Sequence, residues 1–321
     1  MNAVALNPVE SEQVNDLLQR LVNDYSSPCE EAFLLRAKTY AIQLPPRVLL
    51  RVNEFRCLDD HNGSFLLRGF QIDDAHLEET PYTINREIDE RSAVREGFML
   101  MLMISLLGDA FGWSTQRDGA LINNVLPLRS HEADQLSTGS IVDLDWHTEE
   151  AFHPYRADYL ALLCLRNPDN VPTIVGSVRD IHIDERHKKT LFAPRYIFHT
   201  DKNFQNGSFD LTAPTSVLFG DFDDPYVKID PSFMNTVPGD TEAAVALEEI
   251  TIAFKKALYE VVMQQGDVLF LDNYRVVHGR KAFRPRFDGK DRWLKRVNVT
   301  ADLRKSRALR QSHNSRIIIT S

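Results

Sequence analysis

Apolar residues run along this chain in two rhythms. Up to about residue 110 they recur mostly at helical spacing: Val14, Leu17, Leu18, Leu21 and Val22 after Ser11, then Phe33, Leu34, Ala37 and Ala41 until Pro45-Pro46 stops the run. Two packed helices are predicted there. Ser64 to Gly69 reads as a buried strand entering a turn, and Arg86 to Leu107 as one long core helix closed by Gly108. From Trp113 onward short apolar or alternating runs take over, at Leu121 to Leu128, Ser140 to Trp146, Tyr159 to Leu165, Thr173 to Val178, Ser216 to Phe219, Asp267 to Leu271 and Leu294 to Val299. These predict strands. One helical stripe interrupts them, Thr241 to Val262, with Ala244, Leu247, Ile250, Phe254, Leu258 and Val261 on one face. Phe198 to Phe209 is polar and turn-rich, which predicts a surface loop or lid. No linker or repeat divides the chain, so one domain is expected over 1–321, helical to about residue 110 and a β core over about 111–300. The expected class is mainly β with flanking helices.

Composition narrows the partners. With 321 residues, 43% apolar and 26% charged, the chain has the profile of a folded protein with a full core. Against 46 acidic side chains stand 37 basic ones, a formal charge of −9, which argues against nucleic acid and favours a small or cationic ligand. Cys29, Cys57 and Cys164 form no CxxC pair and suit a reducing compartment, so a cytoplasmic location is expected. Cys164, inside an apolar run, reads as a small buried hydrophobe. The start, MNAVALNPVESEQVNDLL, has no basic n-region or apolar h-region, and Phe98 to Leu107 is too short to span a bilayer. No membrane partner is expected, and the oligomeric state stays open.

The chemistry begins at His147-Thr148-Glu149. In an extended strand residues i and i+2 face the same side, so an imidazole and a carboxylate converge. They are two members of a two-His, one-carboxylate metal triad, which leaves coordination positions free for cosubstrate and oxygen. The candidate third ligand is His278, placed at a strand end before a Gly279 turn. Further on, period-two alternation puts Arg292, Leu294, Arg296 and Asn298 on one face. Arginines sharing an inward face call for anions, and a 2-oxo diacid and an amino-acid carboxylate would satisfy both. The same metal ligands suit Zn²⁺ in a hydrolase, which would leave the arginines without a role, and a non-catalytic jelly-roll binding protein could keep the fold with a vestigial metal site, against which all three ligands and both arginines are present together.

Two longer motifs, WHTEEAFHPYRADYLALLCLRNPD (Trp146 to Asp169) and GDVLFLDNYRVVHGRKAFRPRFDGKDRWLKR (Gly266 to Arg296), give the chain its resemblance. From about Leu44 to Ser306 it resembles the clavaminate synthase-like Fe(II)/2-oxoglutarate oxygenases, in particular the hydroxylases of free L-arginine, L-asparagine and L-lysine. The resemblance implies a double-stranded β-helix, a cupin-like jelly roll, buttressed by helices. It implies His147, Glu149 and His278 as iron ligands, and Arg292 with Thr173 at 2-oxoglutarate. Arg296 falls at the position for the substrate α-carboxylate, and Gln116 and Glu149 fall near its α-amine. The implied reaction consumes 2-oxoglutarate and O₂, releases succinate and CO₂, and hydroxylates an unactivated side-chain carbon, C3 or C4. Because position 149 carries a carboxylate, halide transfer is disfavoured; desaturation uses the same ligands and stays open.

Asp230 falls where hydroxylases of basic amino acids present a carboxylate to the distal cation, with Asp221, Asp223 and Asp224 just before it. An acidic floor suggests L-arginine first and L-lysine second, with asparagine, citrulline or a modified arginine as alternatives, in a specialised pathway such as antibiotic biosynthesis. Ser232 departs from the arginine-hydroxylase pattern, which has a second carboxylate there. FGDFDDPY also reads as a solvated turn with Asx character. His182 and His187 are misspaced for a metal. His61, His76, His131, His153, His199 and His313 are expected at the surface, and the basic tail Arg304 to Arg316 as a solvated or subunit-contacting end.

Overall fold

The two-residue period of a strand decides the architecture. In Tyr159–Arg166, Leu160, Leu162 and Cys164 point one way and Ala161, Leu163 and Leu165 the other, and both sets are buried. Val268–Asp272 repeats this, with Leu269 and Leu271 inward and Val268 and Phe270 outward. Strands apolar on both faces need cover on both sides, and the computed structural model, which describes residues 2–58, 62–199 and 213–320, shows what supplies it.

The larger sheet runs in the order Asn2–Ala5, Ser64–Arg68, Val268–Asp272, Tyr159–Arg166, Trp293–Thr300, Asp109–Trp113, Ile317–Ile318, with Asn123–Val125 also paired to Trp293–Thr300. The smaller sheet is antiparallel, in the order Tyr259–Val261, Thr173–Ser177, Val276–Arg280, Leu144–His147. Their facing sides share one apolar cluster, in which Leu162, Leu269 and Leu294 of the larger sheet meet Val175, Val261 and Val276 of the smaller. The N-terminal helices cover the outer face of the larger sheet through Phe33, Val52, Phe98 and Leu102. The helix Thr241–Ala257 covers the outer face of the smaller sheet, where Phe254 meets Trp146, ring centroids 5.2 Å apart. The fold is a double-stranded β-helix, or jelly roll, between helical layers.

Four local expectations change. Arg86 to Leu107 is two helices, Arg86–Arg91 and Val94–Ser105, because Ser92 Oγ caps Ile88 O at 2.6 Å and Ala93 turns left-handed at φ 44°. The run before Pro45-Pro46 is two short helices, Glu31–Leu34 and Ala37–Ala41, and the prolines begin another, Pro46–Cys57, since proline is well placed in a first turn; Val48, Val52 and Phe55 are its buried stripe. The helix from Thr241 stops at Ala257, and Tyr259–Val261 pairs as a strand with Thr173–Ser177 instead. His153 is buried with its ring centroid 4.3 Å from that of Trp113, and burial pushes its pKa down to about 3. Residues 200–209 of the expected loop, and His61, lie outside the described residues. Cys29, Cys57 and Cys164 are all free thiols, Cys164 buried as expected.

Candidate active site

The cavity between the sheets is built from both. His147 and His278 are cross-strand partners in the smaller sheet, with ring centroids 4.8 Å apart. His278 lies inside Val276–Arg280 and not at a turn: the register shifts between His278 and Arg280, and a Cβ on Gly279 would stand 2.6 Å from the Leu144 carbonyl oxygen. Glycine is needed there for the close approach of two backbones.

Glu149 reaches the site by a different route from the one its spacing suggests. The strand Leu144–His147 ends before it, and Glu150 turns left-handed at φ 51°. The carboxylate is placed by Asn273, which is fully buried, accepts from Glu149 N at 2.8 Å and donates to Glu149 O at 3.0 Å. Thr148 N donates to Ile229 O at 2.9 Å, and Ile229 N to Thr148 Oγ1 at 3.0 Å, so the segment bearing Asp230 is tied to the same turn.

The donor set suits a metal. One ligand atom from each of His147, Glu149 and His278 lies within 4.8 Å of the others. His147 Nδ1 donates to Asp145 O at 2.8 Å, which leaves Nε2 facing inward. Glu149 Oε2 is buried without a hydrogen-bond donor, 3.8 Å from His147 Nε2 and 3.3 Å from His278 Nε2. Glu149 Oε1 meets Arg296 Nη1 at 2.5 Å. Burial would raise the Glu149 carboxyl, but Arg296 foremost, then the two histidines, hold it well below the usual carboxylate range. Burial works against a charged His147, yet Glu149 and Asp230 outweigh it and raise its pKa to about 9; burial dominates at His278 and lowers it. Two imidazoles and one anionic carboxylate are donors that fit Fe(II).

The same cavity carries buried cations. Arg292, 3% exposed, touches Thr173 Oγ1 at 3.4 Å, and its Nε has no partner; burial pushes its pKa down to about 10. Arg280 lines the same space, also pushed to about 10 by burial. Buried guanidiniums without carboxylates call for an anionic ligand. The cavity, about 230 Å³, is bordered by His147, Glu149, His278, Thr173, Arg292, Arg296, Gln116 and Asp230 together. His131 and His199 stand at its border as well, the former bonded to Thr138 Oγ1 at 2.7 Å.

Asp221 and Asp223 do not belong to it. Asp221 Oδ1 accepts from Asp223 N at 2.8 Å and Asp224 N at 3.1 Å in an exposed turn between Leu218–Gly220 and Pro225–Val227, while Asp224 pairs with Arg179 and Arg275. The Asp221 and Asp224 carboxylates are used locally. Sequence reasoning missed Asn273, Glu150 and Arg280. Only Arg280 carried a readable signal, two residues from His278 on the same strand face.

A jelly roll with two histidines and a glutamate at its cavity, facing buried arginines, is a non-haem iron oxygenase of the 2-oxoglutarate-dependent class. The chain belongs to the taurine catabolism dioxygenase TauD, TfdA family, whose family model matches residues 51–298. It is 39% identical to enduracididine beta-hydroxylase of Streptomyces hygroscopicus, over 95% of this chain and 96% of that one. It is 34% identical to the L-ornithine/L-arginine 3-hydroxylase of Catenulispora acidiphila, over 99% and 100%. The crystal structure of non-heme iron oxygenase OrfP in complex with Fe, succinate and (3S)-hydroxy-L-Arg matches with a TM-score of 0.93 at 38% identity, covering 99% of this chain and 100% of that one. The OrfP complex with Fe and alpha-ketoglutaric acid also matches at 0.93. The zinc-hydrolase and binding-protein readings fall with this membership.

Proposed function

We propose that the chain hydroxylates C3 or C4 of a free basic L-amino acid, L-arginine first and L-lysine second, while converting 2-oxoglutarate and O₂ to succinate and CO₂. One observation carries the reading. A single cavity is bordered by the metal triad, by Arg292 and Arg296 and by Asp230, a set of charges complementary to a diacid beside a zwitterion with a distal cation. The relatives that act on enduracididine or arginine, and the one holding hydroxyarginine, support the same choice.

Bound iron supplies the oxidising chemistry that couples O₂ to decarboxylation of the cosubstrate. The protein's own work is positioning. Arg292 and Thr173 hold the distal carboxylate of 2-oxoglutarate, because a buried guanidinium beside a hydroxyl is matched to a carboxylate at fixed depth. Arg296 holds the substrate α-carboxylate and Gln116, with Glu149, the α-amine. Asp230 faces the distal cation. With both ends fixed, the mid-chain carbons are presented to the metal. We place the reaction in one catalytic domain over residues 1–321, in the cytoplasm and within specialised biosynthesis, with a small molecule as partner. No helix of the described residues is long and apolar enough to cross a membrane.

The test is incubation with Fe(II), ascorbate and 2-oxoglutarate against a panel of free amino acids, reading product mass. Gain of one oxygen on arginine or lysine supports the reading. Loss of two hydrogens would move it to desaturation, and product from neutral amino acids alone would contradict it.

A further inference from the structure

Ser232 stands where a second carboxylate would complete a guanidinium clamp, yet the structure brings one there from another strand. In Leu144–His147 the side chains alternate: Trp146 packs outward on Phe254, so Asp145 and His147 face the cavity. Ser232 bridges the two acids. Its Oγ donates to Asp145 Oδ2 at 2.8 Å, and its N–H donates to Asp230 Oδ1 at 3.1 Å. All three residues border the same cavity.

Asp145 is held from both sides by its backbone. Its N–H donates to Gln135 Oε1 at 3.1 Å, and its carbonyl accepts from His147 Nδ1 at 2.8 Å. The backbone of Asp145 is therefore fixed relative to the metal ligand itself, and Ser232 Oγ orients its carboxylate. Among the described residues no lysine or arginine pairs with its carboxylate. Arg292, more than nine-tenths buried in the same cavity, keeps a buried Nε without a partner, as a site for the cosubstrate's carboxylate would. Arg296 and the two acids bridged by Ser232 border that cavity together, an arrangement suited to a second molecule charged at both ends.

We propose that Asp145 is a specificity-determining residue, the second carboxylate of a guanidinium clamp with Asp230, organised by Ser232. Two carboxylates on separate elements, spaced by a hydroxyl, suit a planar fork with donors on two edges better than a point-like ammonium. The inference rests on the basic-amino-acid reading and selects guanidinium within it.

The experiment compares L-arginine with L-citrulline, its uncharged near-isostere, by anaerobic calorimetric binding to the enzyme loaded with Fe(II) and 2-oxoglutarate. Wild-type enzyme binds arginine more tightly than citrulline. Asp145→Asn weakens arginine on the order of ten- to hundredfold, the scale for losing a charge-assisted hydrogen bond, and leaves citrulline and 2-oxoglutarate unchanged. Asp145→Ser gives the same pattern should the amide disturb the strand. Equal losses for both ligands would mean a structural role only, and an unchanged arginine preference would remove Asp145 from the clamp. Wild-type enzyme without a preference for arginine would overturn the basic-substrate reading and the clamp with it.

Discussion

The Arg296 guanidinium lies 2.5 Å from Oε1 of Glu149, while Oε2 of the same carboxylate faces the inward nitrogens of His147 and His278. One buried anion thus serves two neighbours, a strand of the larger sheet on one side and the metal ligands of the smaller on the other. Its charge keeps Arg296 in place, and Arg296 keeps it ionised for the metal.

Arg296→Gln is expected to raise the amino-acid KM on the order of ten- to hundredfold, with the 2-oxoglutarate KM little changed. Iron retention should fall too, because Glu149 loses the cation that most lowers its pKa. Steady-state kinetics with each substrate varied, together with iron content after anaerobic desalting, read both effects.

Arg292→Ala should do the reverse. The cosubstrate requirement rises steeply while the amino-acid requirement stays close to wild type, since Arg292 touches Thr173 and not Glu149. An unchanged 2-oxoglutarate KM would show that the buried guanidinium serves another anion.

His278→Ala removes one of three donors from a site with no substitute ligand among the described residues. Iron content should drop by more than the roughly ten- to hundredfold typical of losing a group that merely supports a ligand, and succinate formation should vanish. Unchanged circular dichroism distinguishes this from unfolding.

Stability carries its own signature at Lys295, which is fully buried on the helix-facing side of Trp293–Thr300 and donates to Asp89 O at 3.0 Å and Asn124 Oδ1 at 3.2 Å. Burial lowers its pKa to about 8, against the partial support of Asp89, whereas an unfolded lysine titrates near ~10.4. Between those values the unfolded chain binds more protons, so this group makes stability rise with pH from about 8 to about 10. Urea unfolding of wild type and Lys295→Met across that window should show the difference moving in favour of wild type. A pH-independent difference would contradict the assignment.

Much of this was legible in sequence because periodicity and burial agree. The strand faces of Tyr159–Arg166 and Trp293–Thr300 follow from alternation, and Arg292, Leu294 and Arg296 border one cavity as that alternation requires. What sequence could not supply is long-range closure. Glu149 is held by Asn273, 124 positions away, and nothing local in either segment announces the bond. The break at Ala93 depends on Ser92 folding back on Ile88, a local option that a continuous apolar stripe conceals. Charge alone marks Asp221 and Asp223 as pocket carboxylates, but the backbone N–H groups that the turn leaves open take up the Asp221 carboxylate.

On the proposed function, one cavity couples 2-oxoglutarate decarboxylation to oxygen insertion into a basic amino acid. The sharpest test is turnover of L-arginine under ¹⁸O₂ with mass analysis of both products. One labelled oxygen is expected in hydroxyarginine and one in succinate, formed in equal amounts. Arginine left unmodified, with no succinate formed despite bound iron, would contradict it.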